Sequence, residues 1–140
     1  MTVLPFASAA ASPRMLLADD DDRFRSLLRA IFEPYFALAE VPSGEEALEV
    51  VTAARVDLVL CDMHMETLTG LETIRQVKIL RPAVPCILIT ADATDELAED
   101  AAPAAFDVLK KPIRRRELLA RVSDAWDAFY GDENPLSSAG

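Results

Sequence analysis

The stretch VDLVLCD, from Val56 to Asp62, is a nearly continuous apolar run that ends in a carboxylate. A short run of this kind is typical of a strand that is buried on both faces, as the strands of parallel sheets are. Gly70 follows in the loop sequence MHMETLTG and precedes a helical pattern. Parallel α/β sheets bind ligands at the carboxyl ends of their strands. Asp62 is therefore predicted to lie at a functional site.

Three further apolar runs also end in polar side chains. The run at residues 15–18 is followed by the acidic residues 19–22, CILIT ends in Thr90, and FDVLKKP ends in Lys111 and Pro112. Because the carboxyl ends of parallel strands meet at one edge of the sheet, we expect carboxylates, a hydroxyl and an ammonium to lie together there.

Short apolar runs alternate with amphipathic segments along the chain, which predicts an α/β fold with a parallel sheet covered by helices on both faces. The predicted strands are Met15–Ala18, Phe36–Val41, Leu58–Cys61, Ile87–Thr90 and Phe106–Lys110. The predicted helices cover approximately residues 24–32, 44–54, 70–80, 95–102 and 114–130. Capping boxes are predicted at Ser43 and Thr69. The fourth helix has a thin apolar face and is expected to be the least stable.

Composition favours a single domain that binds a protein partner. The 140 residues are 51% hydrophobic, which is enough for a core, and the net charge is −10. Nucleic-acid binding needs clustered Lys and Arg, so direct contact with nucleic acid is not expected. The basic cluster at 114–116 is predicted to lie on a solvated helix face. Cys61 and Cys86 are predicted to be buried thiols in a reducing cytoplasm.

The two ends of the chain carry no periodic pattern. Residues 1–13 lack the basic region of a signal peptide and contain Pro5, so we expect a disordered leader. Residues 131–140 are expected to form a flexible tail. The domain itself is predicted to span residues 14–130, and no apolar run approaches the length of a membrane span.

The order of these elements and of their terminal side chains resembles the receiver domain of two-component response regulators, in its stand-alone, single-domain form. The resemblance covers residues 14–130 and implies a flavodoxin-like, doubly wound sheet of five strands in the order 2-1-3-4-5 with five helices. The family's acidic pair corresponds to Asp19 and Asp20, and its phosphoacceptor to Asp62. Its switch hydroxyl corresponds to Thr90 and its lysine to Lys111, in a Lys-Pro bond that is cis in the family.

The residue chemistry agrees with this resemblance. Carboxylates packed together repel, so Asp19, Asp20 and Asp62 stay ionised only when a cation shares their charge. Mg²⁺ is the expected cofactor because it prefers hard oxygen ligands and keeps room for phosphate oxygens. The Asp62 carboxylate would attack phosphorus while Lys111 offsets charge on the phosphoryl group. The resemblance adds the backbone carbonyl of His64 as a metal ligand and Thr90 as a donor to a phosphoryl oxygen.

The resemblance implies a signalling function rather than an enzyme with a separate substrate. The expected phosphoryl donor is a histidine kinase or a histidine phosphotransfer protein, and the expected output is a conformational switch that a downstream protein target recognises. Relay to another histidine-containing protein and a role as a phosphate sink remain open. A cytoplasmic location without direct membrane contact is expected.

Several positions depart from the family pattern. Val108 stands where an aromatic residue is common, Glu66 where a proline is common, and Thr69 where an aspartate is common. These departures leave open a binding module that works without phosphorylation. An aspartyl phosphatase is a further alternative, but position 64 holds His64 and not the carboxylate such enzymes use. The His64 imidazole, if it acts, would make dephosphorylation depend on pH near neutrality.

Overall fold

The structure is a computed structural model that describes Phe6 and residues 12–137. The described residues form five strands and five helices in strict alternation, as predicted. The strands are β1 Arg14–Ala18, β2 Ala37–Val41, β3 Leu58–Asp62, β4 Cys86–Thr90 and β5 Asp107–Lys110. The helices are α1 Asp22–Phe32, α2 Gly44–Ala53, α3 Gly70–Leu80, α4 Asp95–Ala101 and α5 Arg115–Tyr130.

The strands form one parallel sheet in the order β2-β1-β3-β4-β5, which confirms the predicted doubly wound topology. The register brings the strand ends together, with Asp62 opposite Ile89 and Thr90 opposite Lys110. The residues that follow β1, β3, β4 and β5 therefore meet at one edge of the sheet. This edge carries the candidate site.

Two separate hydrophobic cores cover the two faces of the sheet. Alternate residues of β1 and β3 point to opposite cores, because side chains alternate along a strand. The buried residues of α2, α3 and α4 belong to one core, and those of α1 and α5 to the other. Only Ala101 is buried from α4, in agreement with its thin apolar face. Leu27, which the sequence pattern places on the apolar face of α1, is 52% exposed.

The helix starts follow the predicted caps with one difference. At Thr69 the capping box is complete: the Glu72 N–H donates to Thr69 Oγ1 at 3.1 Å, and the Thr69 N–H donates to Glu72 Oε1 at 2.9 Å. At Ser43 only the first half forms, with the Glu46 N–H donating to Ser43 Oγ at 3.2 Å. The Glu46 carboxylate accepts from the Ser43 hydroxyl, so it does not cap the Ser43 N–H.

Both chain ends make contacts that sequence patterns do not predict. Phe6 is buried, and the Arg14 guanidinium lies 5.0 Å from its ring centre. Leu136 is also buried, and the Trp126 indole N–H donates to the Asp132 carbonyl at 2.8 Å. The rest of the predicted leader and residues 138–140 of the predicted tail lie outside the described residues. The proposed boundaries of the domain stay predictions.

Both cysteines are free and buried. Burial raises the pKa of the Cys61 thiol well above its usual value and that of Cys86 to about 12, so both are expected to be unreactive. Among the described residues, no helix is long and apolar enough to cross a membrane.

Candidate functional site

The structure brings the sequence-predicted side chains to the carboxyl edge of the sheet. Asp62 ends β3 and Thr90 ends β4, while Asp19 follows β1 and Lys111 lies just beyond β5. Backbone hydrogen bonds continue past the strand ends and hold the loops in place. The Met63 N–H donates to the Ile89 carbonyl at 2.7 Å, and the Lys111 N–H donates to the Thr90 carbonyl at 2.8 Å. The Lys111–Pro112 peptide bond is cis.

Gly70 allows helix α3 to begin directly against the end of β3. A Cβ atom at this position would lie 2.2 Å from the Asp62 carbonyl oxygen, so no other residue fits without movement of the backbone. The Gly70 N–H donates to the Met63 carbonyl at 2.9 Å and closes the intervening loop. This loop contains Thr67 with a φ of 67°, a backbone conformation that only a few per cent of non-glycine residues adopt.

Three carboxylates form the acidic part of the site. One oxygen from each of Asp19, Asp20 and Asp62 lies within 4.8 Å of the others; Asp19 and Asp62 are buried, and Asp20 is exposed. Backbone N–H groups orient the two buried carboxylates. The His64 N–H donates to Asp62 Oδ2 at 2.9 Å, and the Asp21 N–H donates to Asp19 Oδ1 at 2.8 Å.

The other oxygen of each buried carboxylate is poorly satisfied. Within the described part of the chain, Asp62 Oδ1 and Asp19 Oδ2 have no partner other than the Lys111 ammonium. Their close contact is the Lys111 ammonium, whose Nζ lies 2.8 Å from Asp62 Oδ1 and 3.6 Å from Asp19 Oδ2. One ammonium is therefore shared by two buried carboxylates, and the negative charge of the site exceeds its positive charge.

The pKa values reflect this shortage of positive charge. Burial of the carboxyl group raises the pKa of Asp19 from 3.8 to about 6, and the negative charge of Asp62 acts in the same direction. Burial would lower the pKa of the Lys111 ammonium, but its contact with Asp62 and the charge of Asp19 outweigh burial and raise it. The site thus disfavours further negative charge and favours a cation.

Thr90 is fully buried, and its hydroxyl oxygen already has polar contacts. The Asp92 N–H donates to Thr90 Oγ1 at 3.1 Å, and Nε2 of His64 lies 3.5 Å from the same oxygen. The His64 ring also contacts Asp92, with 3.2 Å between Nε2 and Oδ2. The Thr90 hydroxyl is therefore bound within the loop after β4, so its use at Asp62 would require it to exchange partners.

The acidic residues fit a magnesium ion. Mg²⁺ binds carboxylate and carbonyl oxygens and keeps several waters. Asp19, Asp20 and Asp62 supply oxygens that already lie close together, and two of the buried oxygens lack good hydrogen-bond donors among the described residues. A divalent cation would supply the charge and the coordination that these oxygens lack.

Two contacts at the site were not identified from the sequence. Phe24 carries the aromatic ring on which the Lys111 ammonium rests, at 4.1 Å from Nζ to the ring centre. Its helical spacing indicated only a core position. Asp92 contacts both Thr90 and His64. A threonine hydroxyl often bonds the backbone two residues further on in a turn, which could have indicated the backbone contact but not the one to histidine.

Val108, at the position where the family commonly has an aromatic residue, borders a cleft of about 220 Å³ between α4 and β5. The cleft is lined by Ala98, Ala102, Ala105, Phe106, Asp107 and Val108. Three of these six lining residues are alanines. The usual aromatic route for a signal from Thr90 is therefore absent at this position.

The chain belongs to the response regulator receiver domain family, whose model matches residues 15–123. Members of this family are signalling modules of two-component systems and not enzymes of the usual kind, and receiver domains bind Mg²⁺ at an acidic cluster.

Sequence comparisons with curated proteins agree with this family assignment. The chain is 35% identical over 113 residues to the transcriptional regulatory protein ZraR of Escherichia coli K12, covering 79% of this chain and 26% of that protein. It is 34% identical over 128 residues to the response regulator MprA of Mycobacterium sp. strain KMS, covering 90% of this chain and 56% of that protein. The chain thus spans about a quarter of ZraR and just over half of MprA.

Solved structures share the fold. A CheY-like response regulator receiver domain protein from Methanospirillum hungatei JF-1 matches with a TM-score of 0.82 and 23% identity, covering 86% of this chain and 98% of that one. The response regulator TrrA of Thermotoga maritima, solved in complex with Mg²⁺ and BeF, matches with a TM-score of 0.73 and 28% identity, covering 81% of this chain and 98% of that one.

Proposed function

We propose that this chain accepts a phosphoryl group on Asp62 from a phosphohistidine and thereby transmits a signal. The observation that carries the proposal is the state of the Asp62 carboxylate, which is buried beside two further carboxylates and has Lys111 Nζ 2.8 Å from Oδ1. Asp62 Oδ1 has no close partner among the described residues except this ammonium, which it shares with Asp19. Three carboxylates with one ammonium between them favour a cation and a phosphoryl group that brings further oxygen ligands.

Each residue has a proposed role in the transfer. One oxygen of Asp62 forms the new bond to phosphorus while the bond from phosphorus to the donor imidazole nitrogen breaks, and the imidazole keeps the electron pair. Lys111 offsets the negative charge that spreads over the phosphoryl oxygens. The His64 N–H fixes the Asp62 carboxylate through its 2.9 Å bond to Oδ2.

Asp19, Asp20, Asp62 and the backbone carbonyl of His64 would hold Mg²⁺, which draws negative charge off the transferring phosphoryl group. The proposal is supported by the close spacing of the three carboxylates and by the raised pKa of Asp19. It also has a parallel in TrrA, which was solved with Mg²⁺ and BeF.

Phosphorylation would then act on Thr90. The new phosphoryl oxygens compete for the Thr90 hydroxyl, which at present accepts from the Asp92 N–H and lies near His64. Movement of Thr90 would alter the loop that begins at β4 and the contact between Thr90 and Lys111. We propose that a downstream protein target recognises this conformational change. The proposed phosphoryl donor is a histidine kinase or a histidine phosphotransfer protein.

The direct test is the intact mass of the chain after incubation with Mg²⁺ and acetyl phosphate. We expect a gain of one phosphoryl group that requires Mg²⁺ and is lost in Asp62→Asn. Asp57→Asn is the matched control, since Asp57 lies at the opposite end of β3, and it should gain the group normally. If the native chain gains nothing from acetyl phosphate or from a phosphorylated histidine kinase, the chain works as a binding module without phosphorylation.

A further inference from the structure

The Lys111 ammonium has three close contacts at the site, with two carboxylates and one aromatic ring. Its Nζ lies 2.8 Å from Asp62 Oδ1, 3.6 Å from Asp19 Oδ2 and 4.1 Å from the centre of the Phe24 ring. The Lys111 side chain is 24% exposed, so water still reaches part of it. A lysine side chain has several rotatable bonds and a strongly hydrated head group, and it needs such contacts to keep one position.

The capped first turn of helix α1 positions Phe24 for this contact with Lys111. Asp21 caps the helix and accepts hydrogen bonds from the backbone N–H groups of Arg23 and Phe24. Phe24 thus lies in the first turn, next to the acidic pair that precedes the helix. Its ring is partly buried and packs against the core shared by α1 and α5. The backbone cap and the core packing together restrict where the ring can go.

The face of an aromatic ring carries negative partial charge and attracts cations that lie within about 6 Å of its centre. The Lys111 ammonium therefore contacts carboxylate oxygens and also lies over the negative face of the Phe24 ring. Moving the ammonium toward solvent would lose the ring contact as well as the contacts to the carboxylates. The ring contact thus favours the position of Nζ close to Asp62.

We infer that Phe24 is a positioning residue for phosphoryl transfer, because its ring face holds the Lys111 ammonium against Asp62. The inference rests on the proposed function. An aliphatic residue of similar size would fill the core equally well but would not attract the cation. The alternative is that Phe24 serves only packing, in which case ring size matters and ring charge does not.

Fluorinated phenylalanines separate these two roles, since successive fluorine atoms weaken the negative ring face with little change in size. We would replace Phe24 with mono-, di- and trifluorinated phenylalanine and measure the rate constant for phosphorylation by acetyl phosphate. The rate constant should fall steadily along the series, by roughly two- to tenfold in total. The rate constant of Phe24→Leu should be as low as that of the trifluorinated variant. Phe24→Tyr keeps the negative ring face, so its rate constant should stay near the native value.

Phe32 provides the matched control. It lies in the same helix, is fully buried and packs edge-on against Phe36 with 6.1 Å between ring centres. Fluorination at position 32 should leave the phosphorylation rate unchanged. Thermal unfolding of every variant reports any loss of packing. A flat rate along the Phe24 series, or an equal fall along the Phe32 series, would overturn the inference.

A second measurement keeps this inference separate from the proposed function. Proton NMR of the native chain should show the Lys111 methylene next to Nζ shifted upfield by the ring current of Phe24, and Phe24→Leu should remove the shift. If the native chain accepts no phosphoryl group, the proposed function fails, and the NMR result alone decides the placement of Lys111. An unshifted methylene in the native chain would show that Phe24 does not position the lysine.

Discussion

The two ends of strand β3 each have an aspartate, and the two aspartates have opposite surroundings. At the start, Asp57 Oδ2 accepts hydrogen bonds from the Arg14 N–H, at 2.8 Å, and from the Arg55 guanidinium. The Asp57 carbonyl accepts from the Tyr130 hydroxyl at 2.6 Å. At the other end, the only partner of Asp62 Oδ1 among the described residues is the Lys111 ammonium, which Asp62 shares with Asp19.

This difference separates a structural carboxylate from the one that we propose as the phosphoryl acceptor. Asp57 ties β1, β3 and α5 together, and its charge is matched locally by Arg55. The cluster at Asp62 has three carboxylates and one ammonium, so its charge is not balanced without a cation. Removing a carboxylate should therefore have opposite effects on stability at the two ends of the strand.

The largest expected effect is that of Asp19→Asn on metal binding. We propose Asp19 as a direct ligand, and its loss should weaken Mg²⁺ binding by at least about a hundredfold, since loss of an indirect contact already costs 10–100-fold. Titration calorimetry with Mg²⁺ measures this change. Asp57→Asn should bind Mg²⁺ as the native chain does, and a comparable loss in both variants would show that the acidic cluster is not the metal site.

The same pair of variants should differ in the sign of their effect on stability. Without Mg²⁺ at neutral pH, Asp19→Asn should raise the free energy of unfolding by roughly 1–3 kcal/mol, because it removes a buried charge that is poorly compensated. Asp57→Asn should lower it by roughly 1–3 kcal/mol, because it weakens a satisfied ion pair. Urea unfolding followed by Trp126 fluorescence measures both. A loss of stability in both variants would contradict the comparison.

The pH dependence of stability should follow the raised pKa of Asp19. The folded chain holds this proton up to about pH 6, whereas the unfolded chain releases it near 3.8. The folded state therefore binds more protons between these values, so the contribution of Asp19 to stability falls as pH rises through this window. The fall is at most about 3 kcal/mol and is complete above pH about 6.

Other carboxylates also titrate in this range, so the quantity to measure is a difference. The gap in unfolding free energy between Asp19→Asn and the native chain should be small near pH 4 and should grow to a plateau above about pH 6. Mg²⁺ affinity of the native chain should weaken below about pH 6, since Asp19 must lose its proton to bind the ion. A gap that does not change with pH would contradict the raised pKa.

The smallest expected effect is at the structural end of β3. Tyr130→Phe removes the hydroxyl that donates to the Asp57 carbonyl and should lower the free energy of unfolding by about 1 kcal/mol. The phosphorylation rate should not change, because the hydroxyl lies at the end of the sheet away from Asp62. Chemical unfolding and phosphorylation by acetyl phosphate measure the two quantities. A slower phosphorylation rate at unchanged stability would show that the two ends are coupled.

Much of this arrangement was predictable from local sequence patterns. Apolar runs predicted all five strands to within one residue at each end, and caps and proline positions predicted the helices. The neighbours of Asp62 could be predicted because parallel strands bring their carboxyl ends together whatever the details of packing. The placement of Asp19, Thr90 and Lys111 at one edge follows from that rule alone.

Contacts between side chains from different elements were not predictable. The ring of Phe24 reaches Lys111 because of the direction of its side chain at the start of α1, and helical spacing indicates a face but not such a contact. The buried Phe6 and Leu136 are single apolar residues in segments without periodicity. The partners of Asp57 come from three distant parts of the chain, so its difference from Asp62 is visible only in the folded structure.

The most direct test of the account is the location of the phosphoryl group. After incubation with acetyl phosphate and Mg²⁺, borohydride converts a phosphorylated aspartate to homoserine, and peptide mass spectrometry then identifies the modified position. We predict that the conversion occurs at Asp62 and not at Asp57, although both flank the same strand. Conversion at Asp57, Asp19 or Asp20 in place of Asp62 would contradict the claim that Asp62, at the acidic end of β3, is the phosphoryl acceptor.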